Sequence, residues 1–141
     1  MFGCGCWAQH SQSKRGVAVT TTGCGEQLIM TTLAKTIGEN VLKELEGGDS
    51  HAACYLKEYM TDYFLNSEML NSDNHDIMGG ALVAYYDEHS VDFNFAYTTD
   101  SMAVGFMSTS NTKATVEVSR KMPTRSSPRS RLTMGGYILK L

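Results

Sequence analysis

The stretch Thr20-Thr21-Thr22-Gly23-Cys24-Gly25-Glu26 marks the point at which the sequence changes from a strand pattern to a helix pattern. Residues 16–22 are rich in valine and threonine, which favour strands. After the glycines, apolar residues recur at every fourth position and predict one long amphipathic helix; they are Ile29, Leu33, Ile37, Val41 and Leu45. The junction therefore sets the order strand, turn, helix.

Glycines at such a junction let the backbone come close to a ligand, and the start of a helix favours an oxygen that carries negative charge. The stretch is thus a candidate site for an oxyanion or a carboxylate. Purely structural strand–Gly-x-Gly–helix turns are also common, and the spacing alone does not decide between the two roles. A nucleotide-binding phosphate loop is disfavoured because Glu26, not Lys followed by Ser or Thr, comes after Gly25.

On either side of this junction the sequence predicts a short strand at residues 1–9 and a second helix. The first helix is expected to end at Gly47-Gly48, since glycine commonly supplies the left-handed turn after a helix. Asp49-Ser50 can then cap the second helix, which is predicted to run to about Phe64. The polar residues 66–76 are expected to form an exposed loop.

The rest of the chain reads as strands. Residues 79–86 and 91–97 predict a hairpin with a turn at 87–90, and residues 102–108 and 114–118 predict two further strands. Residues 120–131 combine five basic residues with serines and two prolines, and are predicted to form a mobile, solvated surface loop.

Composition limits what the chain can do. With 141 residues and 42% hydrophobic content it fits a single domain. A net charge of −3 with mixed signs argues against binding to nucleic acid or to an anionic membrane by bulk charge. No apolar run reaches the ~20 residues that a membrane-spanning helix needs. Four cysteines are too few for a secreted disulfide framework, which points to the cytosol or the nucleus.

The cysteines and histidines do not form a convincing metal site. Cys4-x-Cys6 with His10 falls short of the four ligands of structural zinc, so these thiols are interpreted as structural. Cys24 is interpreted as a packed thiol and not as a nucleophile, because no histidine next to it in sequence can activate it. No cofactor or metal is expected.

Four blocks of the chain together resemble a known family. They are Gly3-Cys4-Gly5-Cys6-Trp7-Ala8, Thr20-x-Thr22-Gly23-Cys24-Gly25-Glu26, Met78-Gly79-Gly80 and Thr98-Thr99-Asp100-Ser101-Met102-x-Val104-Gly105-Phe106-Met107-Ser108. In the same order, they resemble the threonine aspartase (taspase) branch of the asparaginase-2 family of N-terminal nucleophile hydrolases. The resemblance covers nearly the whole chain.

The resemblance implies a fold, a reaction and partners. The fold is α+β, as part of a four-layer αββα sandwich, built from a precursor that cleaves itself into α and β subunits and exposes an N-terminal threonine. That threonine attacks a carbonyl with its own amino group as base, and the branch cleaves protein substrates after aspartate. The implied partners are the α subunit, a second αβ unit and protein substrates, and the implied location is the nucleus and cytoplasm.

In this family the residues that match Thr22 and Gly23 offer a hydroxyl and a backbone N–H to the scissile carbonyl oxygen. Thr22 and Gly23 are therefore the expected catalytic oxyanion element. Cys24 and Gly25 are expected to shape the adjacent wall of the substrate site.

The chain also departs from the family pattern. It has neither the Thr-Val-Gly that begins the β subunit nor the Gly-Arg-Val/Ile-Gly loop that holds the substrate carboxylate. We interpret residues 1–141 as the C-terminal portion of a β subunit, without the α subunit and the first strands of β, and predict that the chain alone neither hydrolyses substrates nor cleaves itself. Missing strands would leave an unpaired sheet edge and uncovered apolar surface.

Two alternatives stay open. An L-asparaginase or isoaspartyl peptidase shares the fold and the nucleophile, although the Cys-Gly-Cys-Trp block at 4–7 argues against it. The other alternative is a catalytically dead binding module, which associates with intact subunits or with their substrates.

Overall fold

The computed structural model describes residues 1–47, 51–70, 76–109, 111–121 and 132–140. Within these ranges the chain is α+β, with antiparallel sheets and helices on one side. The strands are β1 (Cys6–His10), β2 (Gly16–Gly23), β3 (Gly79–Tyr86), β4 (Ser90–Tyr97), β5 (Ser101–Phe106), β6 (Thr115–Arg120) and β7 (Thr133–Lys140). The helices are α1 (Gly25–Thr31), α2 (Leu33–Gly47) and α3 (Ala52–Tyr59), and α3 continues into a π-helical turn, Met60–Leu65.

The strands form two sheets. The larger has five strands in the order β1-β2-β3-β4-β7, and every neighbouring pair is antiparallel. The smaller pairs β5 with β6. In the centre of the larger sheet, Val19 lies opposite Val83 and Val83 opposite Asn94, so these three residues share a face. The predicted hairpin of residues 79–97 is confirmed.

The helices cover one face of the five-stranded sheet. Leu33, Ile37 and Val41 of α2 are fully buried there, as the four-residue spacing predicts. The core of this face also takes alternate residues of β2 and β3 and the side chains of α3 and its π-helical turn; its members include Val17, Val19, Ala81, Val83, Leu56, Met60 and Phe64.

The β5–β6 sheet covers part of the other face. Phe93, Phe95 and Tyr97 of β4 pack there against Met102 and Val104 of β5. Two tyrosines also join the sheets by hydrogen bonds. The Tyr97 hydroxyl lies 2.9 Å from Ser119 Oγ, and the Tyr137 hydroxyl donates to the Glu117 carboxylate, a bond that raises the pKa of Tyr137.

Apolar surface remains open on this side. On the outer face of β5–β6, Val116 is 73% exposed and Val118 is 55% exposed. Ala18, Thr20 and Thr22 of β2 point to the same side of the larger sheet as the β5–β6 layer and are also exposed. The open surface on this side therefore lies along β2 and on the outer face of β5–β6.

The predicted single long helix is wrong, because two helices occupy its place. The chain breaks at Thr32, whose φ of 43° is left-handed. The new start at Leu33 lets the Lys35 N–H donate to the Gly3 carbonyl at 2.8 Å, which ties the N-terminal segment to α2. Apolar periodicity continues across such a break, so it does not reveal the change of axis.

Other boundaries also differ. The first strand begins at Cys6, and residues 1–5 are turns instead of strand; α3 begins after His51, while the expected cap at Asp49-Ser50 lies outside the described residues. Strand β7 was not predicted, although the apolar residues 137–139 could have signalled it. Of the predicted basic loop at 120–131, Arg120 belongs to β6 and residues 122–131 lie outside the described residues.

The contact between α2 and β1 yields a stability prediction. A Cβ at Gly38 would lie 2.6 Å from Trp7 Cδ1, whereas a Cβ at Gly47 of the same helix would meet no atom within 4 Å. We expect Gly38→Ala to lower the free energy of unfolding by about 1–2 kcal/mol, because overpacking outweighs the better helix propensity of alanine. Gly47→Ala is the matched control and should leave stability unchanged or slightly raised. Equal effects in urea unfolding would contradict this packing.

The turn of the β3–β4 hairpin predicts a pH dependence. Asp87 Oδ1 accepts the backbone N–H groups of His89 at 2.8 Å and Ser90 at 2.9 Å, and these donors hold the pKa of Asp87 below its ordinary value. A lowered folded-state pKa gives stability that is present above the unfolded value of about 3.9 and is lost as the pH falls toward the folded pKa.

We therefore expect Asp87→Ala to destabilise the chain by about 1 kcal/mol at pH 7, and by less as the pH falls below about 4. Asp87→Asn keeps the acceptor oxygen and should retain most of the stability without this pH dependence. Urea unfolding between pH 7 and pH 3 measures both. A constant difference between wild type and Asp87→Ala over this range would rule out the mechanism.

Candidate functional site

The predicted site lies at the end of β2, where the chain passes into α1. Gly23 is opposite Gly79 in the ladder and has a φ of 139°, a backbone conformation that residues with a side chain rarely adopt. A Cβ at Gly23 would lie 2.4 Å from the Met78 carbonyl oxygen. The glycine therefore allows β2 to end in direct contact with the start of β3.

Cys24 begins α1 through its backbone. Its N–H donates to the Met78 carbonyl at 2.8 Å, and its carbonyl accepts the Leu28 N–H at 3.1 Å. The thiol makes no capping hydrogen bond, and Cys24 is half-buried. Cys24 acts here as a junction residue, and its thiol takes no part in the helix cap.

Gln27 fixes the position of β3 relative to α1. Its carboxamide donates to the Asp76 carbonyl at 3.1 Å and accepts the Met78 N–H at 2.9 Å. Met78 is thus held by Gln27 on its N–H and by Cys24 on its carbonyl. Sequence analysis missed this residue, because a glutamine in the first turn of an exposed helix has no pattern that sets it apart from a solvated side chain.

Thr98 fixes the same region from the β4 side. Its hydroxyl accepts the Gly79 N–H at 2.9 Å and donates to the Ile77 carbonyl at 2.6 Å, and its backbone N–H donates to the Gly79 carbonyl at 2.8 Å. The side chain is buried. This residue belongs to the Thr-Thr-Asp block of the resemblance, for which the sequence offered no role.

The geometry leaves two donors facing outward. The Thr22 side chain is exposed on the β5–β6 side of the sheet. Because N–H groups alternate in direction along an antiparallel strand and Cys24 donates toward β3, the Gly23 N–H points away from β3. On that side Thr21 donates to Gly5, and the β1–β2 ladder ends at Thr20, so the Gly23 N–H lies past the end of β1.

A small cleft of about 170 Å³ lies beside the junction. Residues 76–78 and 98–100 line it together with Lys121. The backbone N–H of Lys121 donates to the Asp100 carbonyl at 2.8 Å, which holds Lys121 beside the cleft. The cleft places two carboxylates, Asp76 and Asp100, and one ammonium group next to the strand ends that hold Gly23.

The four predicted site residues, Thr22 to Gly25, lie at the C-terminal end of β2 and the start of α1, with Gly25 exposed as the first residue of α1. The Cys4 thiol donates to the Met1 carbonyl at 3.0 Å, and Cys6 and His10 are exposed. In the described ranges no group of three or more metal-ligating side chains comes together. His51 and His89 are exposed, and His75 lies outside the described residues.

No protein-family model matches the chain. Among the helices in the described part of the chain, none is both long and apolar enough to cross a membrane.

The two glycines of the junction provide a matched test of its geometry. Gly23→Ala should lower the free energy of unfolding by about 2–4 kcal/mol, because it adds a clash with Met78 to an unfavourable φ. At Gly25 an added Cβ meets no atom within 4 Å, so Gly25→Ala should be close to neutral. Urea unfolding followed by circular dichroism compares the two. Equal tolerance at both positions would contradict the close approach of β2 and β3.

Proposed function

We propose that this chain is the C-terminal portion of the β subunit of a threonine aspartase-like endopeptidase, in which Thr22 and Gly23 form the oxyanion element. The observation that carries the proposal is the pair of consecutive donors at the end of β2. The Thr22 side chain is exposed and the Gly23 N–H points away from β3, and in the proposed arrangement both donate to one carbonyl oxygen next to the strand end. Such an element stabilises the charge that develops on that oxygen during attack.

The rigidity of the junction supports a catalytic role. Gln27 and Thr98 hold residues 77–79 from two sides, and those residues hold Cys24 and Gly23 in turn. Donors that are fixed before the reaction cost no reorganisation when the charge appears.

The open surfaces support a role as part of a larger assembly. Three layers are present in the described residues: helices, the five-stranded sheet and the β5–β6 sheet, whose outer face exposes Val116 and Val118. In the proposed four-layer αββα sandwich, further strands and helices from the α subunit and the first part of β cover these surfaces. A second αβ unit completes the proposed assembly, which acts on protein substrates in the nucleus and cytoplasm.

In the proposed mechanism the nucleophilic threonine comes from outside this sequence, so this chain by itself does not cleave peptides. Thr22 and Gly23 bind the carbonyl oxygen of the substrate aspartyl residue while that threonine attacks the carbonyl carbon. The scissile C–N bond then breaks, and the amine product leaves with a proton from the α-amino group of the threonine. Water hydrolyses the acyl-enzyme that remains, and the same two donors act on both tetrahedral intermediates. Cys24 and Gly25 form the neighbouring wall of the substrate site.

The test joins this chain behind the α subunit and the first β-subunit segment of an active threonine aspartase. The chimera should cleave itself and then hydrolyse a peptide after aspartate, whereas the chain alone should not. Thr22→Val should lower kcat about 100-fold, because one oxyanion donor is worth about 3 kcal/mol. Thr20→Val is the matched control, since Thr20 is exposed on the same face of β2 two residues earlier.

Equal rates for the two valine variants would exclude Thr22 as an oxyanion donor. Hydrolysis or an acylated threonine in the chain alone would refute the proposed dependence on an external nucleophile. A chimera that hydrolyses L-asparagine or β-aspartyl dipeptides, and not the peptide, would favour the asparaginase alternative.

A further inference from the structure

A second cavity lies on the opposite, helix-covered side of the five-stranded sheet. It has a volume of about 460 Å³ and is bounded by the first turn of α3 and by strands β4 and β7. His51, Ala53 and Cys54 form the helix wall, while Asp92 and Asn94 of β4 and residues 134–138 of β7 form the floor. The size falls within the range of about 300–1,000 Å³ that is typical of small-molecule sites.

Asn94 is the unusual residue of this cavity. The residue is only 9% exposed, yet its carboxamide makes no hydrogen bond to the residues that the structure describes. Since no fully buried side-chain nitrogen or oxygen in the described ranges lacks a partner, the accessible part of Asn94 includes its polar atoms. The polar atoms of Asn94 open into the cavity, where a ligand can supply the missing bonds.

Gly136 makes room for this carboxamide. It lies opposite Asn94 in the β4–β7 ladder, and a Cβ there would lie 2.3 Å from Asn94 Oδ1. Gly135, its neighbour, makes room for the Phe95 ring on the other face of the sheet. Gly136 thus leaves room for the Asn94 carboxamide in the floor of the cavity. Gly135 leaves room for Phe95 in the apolar core between the two sheets.

The chemistry of the lining indicates what the cavity accepts. Asp92 lies two residues before Asn94 on the same face of β4, roughly 7 Å along the strand. Its carboxylate favours a cation, and no lysine or arginine lies among the described lining residues to neutralise it. The Asn94 carboxamide can donate to and accept from an amide, and Met134 and Ile138 add apolar surface.

We propose that this cavity binds a small organic cation that carries both an amine or guanidinium group and an amide, on an apolar body. The cationic group pairs with Asp92, the amide pairs with Asn94, and the apolar part rests on Met134 and Ile138. The spacing of the two polar groups along β4 suits the length of an arginine side chain between its guanidinium and its backbone amide. The site is separate from Thr22 and Gly23, which lie at the end of β2.

The experiment uses the ¹⁵N-labelled chain and the probe Nα-benzoyl-L-arginine amide, with the citrulline analogue as the uncharged counterpart of the same shape. Titration of the arginine probe should give saturable amide shifts for residues 53–54, 92–94 and 134–138. Asn94→Leu, of similar volume, should weaken binding roughly tenfold, because the ligand amide then loses its partner. Asp92→Asn should reduce the affinity for the arginine probe to that for the citrulline probe.

Glu39→Gln, an exposed carboxylate of α2 far from the lining residues in sequence, serves as the control and should change neither affinity. Any of three results would overturn the proposal. They are the absence of saturable shifts, equal affinity of the wild-type chain for the two probes, and unchanged affinity in Asn94→Leu. If Asn94→Leu loses its native spectrum, the comparison of the two probes on wild type and Asp92→Asn decides the question, because neither protein alters the buried carboxamide.

Discussion

Strands β3 and β4 carry apolar side chains on both faces, and the rest of the structure depends on covering both. Ala81 and Val83 point toward the helices, while Phe93 and Phe95 point toward β5 and β6. Since burial of apolar area is the main favourable term in folding, neither face of these central strands can be left in water. The helix layer and the small second sheet are the two consequences of that single constraint.

The same constraint positions the candidate oxyanion element. The helices can cover β2 and β3 only if the chain turns sharply out of β2, and Gly23 permits that turn by touching Met78 without a side chain. Strand pairing leaves backbone groups of residues 76–79 without partners at the start of β3. The side chains of Gln27 and Thr98 form hydrogen bonds with these groups. The contacts that hold these strand ends together therefore also fix the backbone at Gly23 and Cys24.

The two proposed sites lie on opposite faces of one sheet and differ in how they are built. Thr22 and Gly23 present donors at a strand end, where backbone groups run out of partners. Asn94 instead lies within a ladder, buried beneath α3, and its carboxamide occupies the space that a side chain at position 136 would take. The first arrangement suits an oxygen that gains charge during a reaction, and the second suits a ligand that is itself polar and cationic.

The sequence by itself determined the α+β class, the 79–97 hairpin, the apolar stripe of α2 and the change from strand to helix at residues 23–25, because each depends on residues that are close together along the chain. Tertiary structure alone decided the break at Thr32, the pairing of β7 with β4, the support from Gln27 and Thr98, and the meeting of Asn94 with Gly136. These features join residues tens of positions apart, and local propensity and periodicity carry no information about which distant segments pair. Neither segment alone shows that Gly136 lies opposite Asn94. The register of the β4–β7 ladder pairs the two residues, and both line the cavity beneath α3.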